Sequence, residues 1–182
     1  MAAAPTKESP PVPAVIPAGR LAAITLASVA GGVHLVLIAQ QASVWWGYGV
    51  LMAAIAAVEI GVAIGLALRP TPGVIIAGIV GVTTSVILYV VSRTAGLPFG
   101  PGPARAAQFG DPFHAGHPDF SAQLTDRAEP VGALDLGCLI AEVALIVLLV
   151  TLLPERSRRP VTNALCAIGV ALWVLRWAGV LA

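Results

Sequence analysis

Asp135, Cys138 and Glu142 stand at i, i+3 and i+7 in ALDLGCLIAE, a spacing that puts all three on one face of a helix. Carboxylates inside an apolar segment are expensive to bury. They mark an ion pair, a proton carrier or a cation ligand. His34 and Arg176 also lie within apolar runs, and Arg93 closes another. At 1.5 Å rise per residue, His34, Asp135 and Arg176 come out roughly 20–25 Å from one edge of the membrane, with Arg93 just above. An interior cluster of His34, Arg93, Asp135, Glu142 and Arg176 follows, read either as an ion pair between Asp135 and Arg93 or Arg176 that pins helices together, or as a ligand or proton site. Glu59 counts as deeper and off the face marked by Gly61 and Gly65.

A second place for chemistry is DPFHAGHPDF. Pro112 and Pro118 deny it a long helix, so His114 and His117 sit on a turn that Gly116 allows to bend tightly. Two imidazoles three residues apart can converge on one ion, with Asp111 or Asp119 filling out a Zn or Cu shell. The competing reading is a plain polar loop, because no further Cys/His pair accompanies the two histidines.

The elements that must position these residues are membrane helices. Of 182 residues, 58% are hydrophobic and 10% charged, with mean hydropathy +0.91. A soluble domain carries about 25% charged residues, so the solvent here is lipid. Apolar runs predict five spanning helices at about 20–40, 44–68, 71–92, 131–153 and 160–181. Pro70 with Pro72, and Pro154 with Pro160, separate neighbours. Residues 1–19 read as a Pro-rich disordered tail, and 20–182 as one all-α transmembrane domain with a long loop at 93–130. A signal peptide cleaved near Ala30 competes for the first run, but the apolar stretch continues past it to Ala39.

Lys7, Arg20, Arg69, Arg156, Arg158 and Arg159 collect on the side holding the N-terminus. The positive-inside tendency then places that side in the cytoplasm, and the 93–130 loop and C-terminus outside. Every aromatic residue falls on the outer half in this arrangement, as an interfacial belt would. All the phenylalanines lie in the long loop, which predicts that the loop packs on the bundle or dips into the interface. Small residues four apart, Ala27/Gly31, Ser28/Gly32, Gly61/Gly65 and Ala77/Gly81, predict close helix contacts, within the chain or across a dimer face. His34 shares the Ala27/Gly31 face and so points inward. Cys138 and Cys166 read as small buried hydrophobes at different depths, without a disulfide.

Several functions are excluded or unsupported. Net charge +1 offers no field for nucleic acid. No GxSxG, HExxH, Walker or dinucleotide-binding pattern occurs, and the prolines of GLPFGPGP remove the amides a phosphate cradle needs. The sequence does not support a haem held by two helical histidines, since His34 is the only histidine in a predicted helix.

SRTAGLPFGP, followed by EPVGALDLGCLIAE, resembles a group of uncharacterised small multi-pass membrane proteins of high-GC, actinobacterial-type bacteria. The resemblance covers about half the chain. It matches Arg93, Gly96, Pro98, Asp135, Glu142 and His34 to that group's pattern, and DPFHAGHPDF lies outside it. It implies a bacterial plasma-membrane protein and supports the outer cluster without adding an activity. The leading expectation is a non-enzymatic membrane protein, an accessory or scaffold subunit that meets lipid and another membrane protein. The alternative handles a small solute, protons or Zn or Cu ions through His34, Asp135 and Glu142, with His114 and His117 as an outer capture point.

Overall fold

The structure, a computed structural model, describes residues 16–94 and 133–179. All regular structure among them is helical: α1 (Ala18–Val44), α2 (Trp46–Leu68), α3 (Pro72–Thr94), α4 (Ala133–Leu152) and α5 (Glu155–Trp177). Four helical stretches are long and apolar enough to cross a membrane: Ala18–Ser43, Trp46–Leu68, Pro72–Ser92 and Glu155–Trp177. The apolar part of α4, Leu136–Leu152, is shorter, about 25 Å against a hydrocarbon core of about 30 Å.

The helix boundaries follow the prolines and apolar runs with one departure. The last helix was expected to start at 160, yet it starts at Glu155 and runs through Pro160. Pro154 leads in: its carbonyl accepts from Ser157 and Arg158 N–H at 2.9 and 3.1 Å and so opens the first turn. Pro160 then denies a donor only to the Arg156 carbonyl, and both residues are exposed, so that group can be solvated.

Only Trp45 separates α1 from α2, so the pair must run antiparallel. Trp45 is extended, its N–H bonds Gln41 O at 3.1 Å, and its carbonyl accepts from Tyr48 N–H at 2.9 Å. Its indole lies over Gly47, where any Cβ would collide with the ring. At the opposite end, two arginines close neighbouring helices. Arg20, at the start of α1, donates to Leu66 O at 2.6 Å and Ala67 O at 2.8 Å, the last carbonyls of α2. Arg158 donates to Thr151 O at 2.9 Å and Leu153 O at 3.2 Å at the end of α4. A cation there satisfies carbonyls without intrahelical partners and meets the negative end of the helix dipole.

α1 packs on α2, α2 on α3, α3 on α4 and α4 back on α1, closing a ring of four. The half of the ring near the Arg20 end is an apolar core, with Ala23, Ala27, Leu66, Val82, Leu145 and Leu149 fully buried. α5 stands outside the ring: it buries no residue, and Val161 and Leu165 are its apolar contacts with the core. The small residues behave as spacers on two seams. Gly31 fits against Ile60 and Glu59 of α2, while Gly65 and Gly81 take Val74 and Val58 across the α2–α3 seam. Gly32 and Gly61 face open space, so no helix of this chain closes on them.

Candidate functional site

Beyond the apolar half, the interior changes character. One polar side chain arrives from each of α1, α2 and α3, and two from α4. Ala23, Ala27, Ala30 and His34 form one buried stripe on α1, and Gly31 beside it lets α2 approach. A Cβ at Gly31 would stand 2.8 Å from Ile60 Cγ1 and 3.4 Å from Glu59 Cβ. At that level His34 Nδ1 lies 2.8 Å from Glu59 Oε2, with Glu59 fully buried.

The other ring nitrogen looks toward α4. His34 Nε2 is 3.9 Å from Cys138 Sγ and 4.0 Å from Glu142 Oε1. Ser85, from α3, donates its hydroxyl to Glu142 Oε1 at 2.6 Å. His34, Ser85, Glu59 and Glu142 are all buried. Glu59 Oε1 is buried with no hydrogen-bond partner among the described residues, and a buried acceptor without a partner costs about 1–3 kcal/mol. An imidazole bridging two carboxylates can hold or relay a proton. With the Nδ1 proton given to an ionised Glu59, it presents the Nε2 lone pair to a cation.

Of the residues expected from sequence, the structure brings His34 and Glu142 together. Glu59, expected deeper and off the packed face, belongs to the site. Helix ends are not level, and the close approach at Gly31 carries α2 to the imidazole. Its face is the buried series Ala56, Glu59, Ala63 and Leu66, a heptad-like signal that the Gly61/Gly65 reading passed over. Cys138 is half-buried beside His34, and Cys166 is exposed, so neither is the buried hydrophobe expected. Arg176 lies on the exposed surface of α5. Arg93 and Asp135 belong to α3 and α4, with side chains outside the described set; Asp111, His114, His117 and Asp119 lie wholly outside the described residues.

No protein-family model, curated protein or solved structure matches this chain. The site must be read from its own chemistry.

Proposed function

We propose that this chain is a five-span bacterial plasma-membrane protein that takes a cation, a metal ion or a proton, into the bundle at His34, Glu59 and Glu142. The observation that carries this reading is the imidazole of His34 held between two buried glutamates by helices that close into one ring. Two carboxylates in a low-dielectric interior are costly, and a cation between them offsets that cost. α4 completes the ring, so it crosses with its neighbours despite its shorter apolar stretch. The Arg20 and Arg158 end is cytoplasmic in this reading. Trp45, Trp46, Tyr48, Trp173 and Trp177 lie at the end opposite Arg20 and Arg158, the outer end in this reading, and the reading assigns the 93–130 loop to that side.

Proteoliposomes carrying a pH-sensitive and a Zn-sensitive dye test it. A cation gradient should change one dye faster than in protein-free vesicles, and His34→Ala or Glu142→Gln should abolish the difference. Wild-type vesicles no faster than protein-free ones in either dye would overturn the reading.

An accessory-subunit role is a second reading, favoured by α5. That helix buries nothing and exposes Trp173, Val174 and Trp177, a surface for lipid or for another membrane protein. Its mark would be a partner that co-purifies in mild detergent and is lost on Trp173→Ala/Trp177→Ala.

A further inference from the structure

Resting on the cation-handling reading, the geometry points to one class of ion: a divalent d-block metal of borderline softness, such as Zn, bound by His34 Nε2, Cys138 Sγ and Glu142 Oε1. These three atoms lie within 4.8 Å of one another. A tetrahedral Zn with ordinary bond lengths holds its nitrogen and sulfur about 3.5 Å apart, and its nitrogen and carboxylate oxygen about 3.4 Å apart. The observed 3.9 and 4.0 Å therefore need to contract by about half an ångström, and the sulfur–oxygen edge, which lies within 4.8 Å, by up to about 1.2 Å, shifts that side-chain rotation supplies.

The donor set selects the metal. Calcium and magnesium want shells of oxygen, whereas one imidazole, one sulfur and one carboxylate suit Zn and its neighbours. Each outer contact also has the form that metal sites use. Glu59 takes the Nδ1–H of His34, which holds the ring in the tautomer whose Nε2 lone pair faces the ion, and Ser85 orients Glu142. Charge at the ion closes as well. The Cys138 thiol gives up its proton to solvent on coordination, so the dication, one thiolate and the Glu142 carboxylate sum to zero at the ion, and the Glu59 carboxylate adds one negative charge behind the His34 Nδ1–H. Three protein ligands among the described residues leave a fourth position for water or a passing ligand, as exchangeable sites do and closed structural sites do not.

Detergent-purified full-length protein, titrated with Zn and separately with Co(II), decides the matter. Wild-type protein should bind one metal per chain, and the Co(II) form should show a thiolate-to-metal charge-transfer band. Cys138→Ser should remove that band while the protein stays helical and monodisperse, and His34→Ala or Glu142→Ala should weaken binding more than 100-fold. Glu59→Gln should keep the band and weaken binding about 10–100-fold. A helical, monodisperse wild type that binds neither metal overturns the inference, as does a Co(II) complex unchanged in Cys138→Ser. Failure here with a proton signal in the vesicles leaves the cation reading standing. Failure in both experiments removes both.

Discussion

The same four helices build two interiors. Near the Arg20 end they meet through Ala23, Ala27, Leu66, Leu145 and Leu149, and shape alone decides the fit. Farther along they meet through His34, Glu59, Ser85, Cys138 and Glu142, joined by polar contacts from 2.6 to 4.0 Å. Packing apolar side chains would have served the second region as well as the first, since buried charge seldom adds stability over an apolar substitute. The contrast teaches that packing alone accounts for the apolar half, whereas the polar half needs another reason, which the proposed cation site supplies.

The largest expected effect breaks the polar half from one side. Glu59→Ala should destabilise the protein by about 3–5 kcal/mol, because His34 is left buried with one partner removed. Replacing His34, Glu59 and Glu142 together by Leu should instead be neutral or stabilising by about 1–4 kcal/mol while abolishing cation uptake. Unfolding in a denaturing detergent, followed by circular dichroism, separates the two. A triple variant as unstable as Glu59→Ala would show that the polar half is there for stability.

Leu149→Ala in the apolar half should cost about 2–5 kcal/mol through the cavity it opens, with the site's affinity for its cation unchanged in the folded fraction. A loss of affinity beyond the loss of folded protein would mean the two halves are coupled. Gly31→Ala sits between them. It should cost about 1–3 kcal/mol by pushing Ile60 away, and should loosen the His34–Glu59 contact, whereas Gly32→Ala should stay within about 0.5 kcal/mol. Equal effects of the two alanines would refute the close approach of α1 and α2. Arg20→Ala should be a smaller change than Gly31→Ala, about 1 kcal/mol from lost caps at the end of α2, seen as a modest drop in melting temperature.

The two halves were not equally legible in the sequence. Apolar runs and prolines gave the helices to within a few residues, since hydropathy over about 20 residues is a strong signal and Pro a sharp one. The Ala27/Gly31 stripe also turned His34 inward correctly. The site was half legible. Counting depth from helix ends treats the ends as level, and that error set Glu59 apart from the imidazole it touches. Cys138 was placed on the face of Asp135 and Glu142 yet read as a small hydrophobe, because a thiol in an apolar run looks like one until the neighbouring helix is in place. Ser85 carries no signal of its own; only its opposition to Glu142 across the α3–α4 seam gives it a part.

Arg20 bears on how the chain assembles. Its guanidinium bonds carbonyls 46 and 47 residues farther along, so the first hairpin is sealed only after Leu66 and Ala67 have been made. Until then the Arg20 guanidinium lacks both carbonyl partners, although the partners of Gly31, Ile60 and Glu59, are already made. The arrival of the end of α2 seals that arginine contact, and His34 meets Glu59 across the same hairpin. A chain stopped before residue 66 would thus hold both His34 and Glu59 yet lack the two carbonyls that lock the far end of the hairpin.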